Sequence, residues 1–123
     1  MKRFYLLICL LMVFSLSACR NDGGAESTDE LLRLGRTYAN ADDSRNAILA
    51  LTKASKSAGR DSASLGLIFS EIAKVYRQTG DYAEEISYLA KAEKAYDNSG
   101  KPYSSRMARF ESAVASYMAQ DYK

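Results

Sequence analysis

The sequence has no histidine and no tryptophan, and its 123 residues include one proline and two cysteines. Without histidine, the chain lacks the commonest general base and metal ligand that work near neutral pH. Of the cysteines, Cys9 sits inside an uncharged N-terminal run and Cys19 just beyond it. The rest of the chain therefore has no thiols for a disulfide framework or a cysteine metal site. No glycine-rich phosphate loop is present. Gly23-Gly24 lies in a polar stretch with no strand before it. Acidic pairs do occur, at Asp42-Asp43 and Glu84-Glu85. Both fall where helices are expected to begin, and there a carboxylate is stabilised by the helix dipole. Acid–base catalysis would need a pocket and a raised pKa as well. The composition thus points away from an enzyme and calls for no cofactor or metal.

The N-terminus is distinctive. Lys2 and Arg3 precede the uncharged stretch Phe4–Leu16, and Leu16-Ser17-Ala18-Cys19 closes it. A short positive segment, an apolar run and small residues are the order of a secretory signal. Thirteen residues are too few for a comfortable membrane-spanning helix, which needs about 20. The closing four residues resemble the lipobox of bacterial lipoproteins: an aliphatic residue, two small residues and cysteine. The resemblance implies cleavage before Cys19, a diacylglycerol on its sulfur and acylation of the new amine. Small residues suit a peptidase that grips extended backbone, and only a thiolate can form the thioether. Residues 1–18 are thus expected to be a signal peptide, and 19–27 a lipidated cysteine with a flexible tether. In enteric-type Gram-negative lipoproteins, Asp after the cysteine signals inner-membrane retention. Here Arg20 follows, which implies an outer-membrane protein facing the periplasm.

Removing Lys2 and Arg3 leaves 15 basic residues against 15 acidic ones. Each half of the remaining chain, divided at Ser62, is also balanced. A nucleic-acid partner calls for a segregated basic face, and none is visible.

From Ser27 onward, apolar residues recur at helical spacing. Ser27 and Glu30 form a capping-box pattern that starts a helix over about 28–40. Asp42-Asp43-Ser44 starts a second helix, which stops near Gly59. Asp61 or Ser62 caps a third, and Gly80 ends it as a left-handed cap. Asp81 starts a fourth helix, which stops before Gly100. Pro102 suits the first turn of a fifth. The expected fold over 28–123 is all-α: two helix pairs and a C-terminal capping helix.

The pairs resemble one another. Leu31, Leu34-Gly35 and Tyr38 are followed by Ala47, Leu51 and Ala54. Phe69, Ile72-Ala73 and Tyr76 are followed by Glu85, Leu89 and Ala92. Phe110, Ala113-Val114 and Tyr117 begin the series again. This pattern resembles the tetratricopeptide repeat, W-x2-L-G-x2-Y then A-x3-F then P. Glu85 departs from it by replacing the small Ala, and the closing Pro is missing. The tyrosines stand 38 and 41 residues apart against the family's 34, and lengthened second helices are expected to absorb the excess. Tyr38, Phe69, Tyr76 and Phe110 are expected in the core. Two pairs and a lone helix fall short of the three repeats usually needed, so homodimerisation or a docked partner would complete the assembly.

The resemblance implies a concave groove, lined by the first helix of each pair, that holds a peptide or helix of a protein partner. The positions beside the core stripe are Leu32, Arg36 and Asn40, then Leu67, Ser70, Lys74, Arg77 and Gln78, with Glu111 and Met118 from the fifth helix. Leu32 and Leu67 are the expected apolar anchors. Arg36, Lys74 and Arg77 favour a partner segment bearing carboxylates. The Lys/Asn clamp by which some relatives hold a C-terminal carboxylate is not expected, because Leu32 and Arg36 occupy its places. The leading reading is a lipid-anchored adaptor of the bacterial envelope, in the manner of pilotins or adaptors of cell-wall enzymes. The alternative is an immunity, exclusion or envelope-stress lipoprotein that blocks one incoming protein.

Overall fold

The structure is a computed structural model and describes residues 26–121. The signal segment, Cys19 and the tether to residue 25 lie outside the described residues. Five helices follow in order: α1 Thr28–Asn40, α2 Ser44–Ala58, α3 Ser62–Thr79, α4 Tyr82–Asn98 and α5 Pro102–Asp121.

Local chemistry sets their ends. Ser27 Oγ accepts from the Glu30 N–H at 3.2 Å, and Glu30 Oε2 accepts from the Ser27 N–H at 3.1 Å, which is the reciprocal capping box. Asp43, Asp61 and Asp81 cap α2, α3 and α4 by accepting from backbone N–H groups of the first turn. The Ser64 hydroxyl and backbone N–H both donate to Asp61, and they hold its carboxyl below the ordinary value. Gly80 ends α3 at φ 75°, a left-handed conformation that costs a glycine little.

Turns of two or three residues join the helices, so each must fold back on the one before it. A hydrogen bond of 2.9 Å from Thr28 to Ser57 ties the start of α1 to the end of α2. Each helix packs on the next, and α1 also touches α3. The result is an all-α stack of helical hairpins, α1/α2 and α3/α4, with α5 laid against α4.

Small residues decide how close each pair comes. A Cβ on Gly35 would sit 2.5 Å from the Leu51 side chain, and one on Gly66 would sit 2.6 Å from the Tyr96 ring. Around the first contact, Leu31, Leu32, Ala47, Leu51, Ala54, Ile68, Ile72 and Val75 form one buried cluster. Ala73, Leu89, Ala92 and Ala108 form a second. Half-buried Phe69 and Tyr88 pack against both, with ring centroids 6.1 Å apart. Tyr76 stacks on Tyr88 at 5.6 Å. Burial there, reinforced by Tyr88, Glu84 and Asp81, pushes the Tyr76 phenol up.

Three expectations are corrected. First, Leu32 is buried in the α1–α3 core and is not a groove anchor. It points inward because α1 is covered on two sides, by α2 and by α3. Second, most of the extra residues of the repeat lie at the starts of the first helices, and only α4, two residues longer than α2, shows the expected lengthening of a second helix. α3 begins seven residues before Phe69 and α5 eight before Phe110, against three before Leu31 in α1. Third, Phe110 is not in the core: it is 63% exposed, and Met107, Val114 and Tyr117 are exposed with it. The face of α5 that meets α4 carries Ser105, Ala108 and Ala115 instead. Small side chains let the two helices approach closely, and the large stripe is left on the far side.

One buried charge ties the last three helices together. Glu85 of α4 is fully buried. Its Oε1 accepts from Arg77 Nε of α3 at 2.6 Å, and Arg77 Nη2 donates to Glu111 of α5 at 2.9 Å. Glu85 Oε2 has no hydrogen-bond partner among the described residues. Burial works against the Arg77 charge, but the hydrogen bonds to Glu85 and Glu111 outweigh it and raise its pKa.

Two predictions follow from this packing. Phe69→Ala opens a gap between both clusters and lowers stability by about 3 kcal/mol, the low end for a phenylalanine because the ring is half-buried. Phe110→Ala stays within about 0.5 kcal/mol of wild type. Urea melts followed by circular dichroism measure both, and equal losses would mean that α5 is packed the other way round. Arg77→Ala strands the Glu85 carboxylate and costs about 3 kcal/mol, the low end for a buried pair because Arg77 is partly exposed. Arg77→Leu combined with Glu85→Ala recovers most of that loss in the same melts, since no charge is then buried.

Candidate functional site

The first helices of the hairpins, α1 and α3, together with α5, line one side of the stack. Two adjoining cavities lie along it. One, of about 250 Å³, sits between α1 and α3 and is lined by Arg36, Asn40, Glu71, Lys74 and Gln78 over a floor of Ala39, Leu51 and Val75. The other, of about 170 Å³, sits between α3 and α5. Leu67, Ser70, Lys74, Tyr96, Tyr103, Met107 and Glu111 line it. Lys74 belongs to both walls, so the two cavities form one discontinuous groove.

Helical phase puts these side chains on a common face. On α3, Leu67, Ser70, Glu71, Lys74 and Gln78 recur at three- and four-residue steps, so they align along the helix beside the buried row Ile68, Ile72 and Val75. On α1, Arg36 and Asn40 stand four residues apart and face them.

Of the expected groove residues, Arg36, Asn40, Lys74 and Gln78 line the first cavity, and Leu67, Ser70 and Lys74 the second. Leu32 is in the core, as described above. Arg77 lines neither cavity, because Glu85 and Glu111 hold its guanidinium. The charge balance also differs from expectation. Glu71 Oε1 accepts from Arg36 at 3.0 Å and from Lys74 at 3.2 Å. Arg36, Lys74 and Arg77 are therefore matched by Glu71, Glu85 and Glu111, and the groove has no net positive charge to offer an acidic segment.

Sequence reading missed Glu71, Tyr96, Tyr103 and Met107. Glu71 carried a signal in its three-residue spacing from Lys74, which pairs side chains on one helix face. Tyr103 and Met107 enter the groove only because α5 begins early and turns its large stripe outward. Nothing in their local spacing announces that.

The arrangement suits binding rather than chemistry. Its charged groups are ion-paired, Asn40, Ser70 and Gln78 add neutral polar ones, and its accessible apolar surface consists of Leu67, the rings of Tyr96 and Tyr103, and Met107. Among the described residues, no group of three His, Cys, Asp or Glu side chains is placed to hold a metal, and no helix is long and apolar enough to cross a membrane.

Comparison with known proteins adds one finding. Residues 68–99 match the tetratricopeptide repeat model. That span covers most of α3, all of α4 and the residue after it, and so includes Phe69, Tyr76, Leu89 and Ala92. Among curated proteins none matches the chain significantly, and among solved structures none does. The fold is thus an all-α stack of tetratricopeptide-like hairpins. Such repeats are in general non-enzymatic scaffolds for protein–protein interaction.

Proposed function

We propose that the protein is a lipid-anchored adaptor of the bacterial envelope that holds a segment of a partner protein in the groove across α1, α3 and α5. The observation that carries this reading is the groove itself, two adjoining cavities on the first-helix side of a hairpin stack. Its apolar part, Leu67 with Tyr96, Tyr103 and Met107, offers the desolvated anchor that affinity needs. Its paired charges favour a segment of mixed polarity over a strongly acidic one. Paired charges at a rim set register and association rate more than affinity.

The anchor in this reading is Cys19, supported by the lipobox-like Leu16-Ser17-Ala18-Cys19 after a charged start and an apolar run. Eight tether residues, Arg20 to Ser27, reach at most about 28 Å when extended. The groove would therefore work close to the membrane surface. Arg20 after the cysteine supports an outer-membrane destination in a Gram-negative host.

Two experiments test the two halves of the proposal. Cys19→Ser should abolish labelling by radioactive palmitate and move the protein from the membrane pellet to the soluble fraction. Retention after an alkaline wash would overturn the lipid anchor. For the groove, a photo-crosslinking residue is placed at Gln78 and, as a control, at Lys94 on the second helix of the pair. An adduct is expected from position 78 and not from 94. Leu67→Asp with Lys74→Glu should cut that adduct at least tenfold while the thermal melt stays two-state. An unchanged adduct in the folded double variant would place the binding surface elsewhere.

A further inference from the structure

The large apolar stripe of α5 is left largely exposed among the described residues, and only its Tyr103–Met107 end lines the groove. Tyr103 is 69% exposed, Met107 39%, Phe110 63%, Val114 43% and Tyr117 64%. Their spacing is four, three, four and three residues, the alternation of a coiled-coil seam. With Asp121 four residues further on, aromatic residues fall at one seam position and Met107, Val114 and Asp121 at the other. The stripe from Tyr103 to Tyr117 spans about 21 Å of helix. The opposite face, Ser105, Ala108 and Ala115, is already buried.

We propose that this stripe is the seam of a two-fold dimer, in which α5 packs antiparallel against α5 of a second copy. Area supports it. A fully buried aromatic side chain covers about 150–250 Å², so at these exposures the five residues present about 400–600 Å² per copy. Two copies remove about 800–1,200 Å² from water. That approaches the lower bound of specific interfaces, about 1,200 Å², before flanking residues are counted.

Shape and charge select the antiparallel arrangement. Antiparallel seams set each position against its alternate. Phe110 then meets Val114 of the other copy and Tyr117 meets Met107, so every ring packs on a smaller or more flexible side chain. Tyr103 lies beside Asp121 of the other copy, with Arg106 one turn away. Neither Arg106 nor Asp121 forms an ion pair among the described residues. Parallel packing would set like beside like, whereas antiparallel packing brings the positive end of each helix to the negative end of its mate. Opposed macrodipoles add to the preference. The contact is self-complementary and closes at two copies. Tyr103 and Met107 also line the groove, so the dimer covers that edge of it and leaves Leu67 and Tyr96 as the apolar anchor for a partner segment.

The test uses the full chain, purified from membranes in a density-matched detergent. Sedimentation equilibrium at micromolar concentration should give twice the chain mass. Phe110→Glu, at an exposed position, should halve that mass with an unchanged helical spectrum. In membranes, mild oxidation of Ala113→Cys, which lies beside the two-fold axis, should give a covalent dimer absent from the parent chain. Tyr103→Cys, at the end of the seam, should not. A monomer at all concentrations, or a dimer that survives Phe110→Glu, overturns the proposal. Mass growing without limit overturns it in favour of head-to-tail stacking on the α1–α2 edge, where Leu49 is exposed. A link at Tyr103→Cys without one at Ala113→Cys overturns the antiparallel geometry.

Discussion

The close approach of neighbouring helices at small side chains is the contact on which the other features depend. Gly35 lets α1 settle on Leu51, and Gly66 lets α3 settle on the Tyr96 ring. Ala47, Ala54, Ala73, Ala92 and Ala108 continue the same contacts with little or no exposure. Interiors pack at crystal-like density, so even one added methylene there is felt. The small residues therefore fix the spacing of the stack, and with it the width of the groove between α1, α3 and α5.

The same preference explains the orientation of α5. The helix carries two stripes, one of large apolar residues and one of Ser105, Ala108 and Ala115. Hydrophobicity alone would bury the large stripe. The surface of α4, however, offers Leu89 and Ala92 at helix-contact distance, and a row of rings would hold the backbones apart. The small stripe wins because it buries more contact per ångström of approach. The large stripe is left to whatever lies beyond the fifth helix.

Charge is arranged by the stack rather than by any one helix. Arg77 stands on α3, but Glu85 of α4 and Glu111 of α5 determine what it does. Glu85 takes the position where a tetratricopeptide repeat has a small residue. A buried carboxylate there is tolerated only because Arg77 reaches it, which locks three helices into one register. Arg36 and Lys74 are likewise claimed by Glu71. A groove whose cations suggested an acidic partner is neutral once its own carboxylates are in place.

How far the sequence reached follows from the range of each interaction. Helix ends were legible because capping involves residues within three positions: Ser27 with Glu30, Asp81 at the start of α4, Gly80 at the end of α3; whether Asp61 or Ser62 caps α3 was settled in favour of Asp61 by the structure. The hairpin order was legible because turns of two or three residues leave neighbouring helices no other course. The match at residues 68–99 falls on the pair in which Phe69, Tyr76, Leu89 and Ala92 carried the repeat pattern. Most of the groove face followed from phase along α3. The side chosen by Leu32, the outward turn of Phe110 and the pairing of Arg77 with Glu85 were decided only by the tertiary structure. Each depends on which helix lies alongside and how closely it approaches. A helix with two plausible faces cannot choose between them until its neighbour is in place.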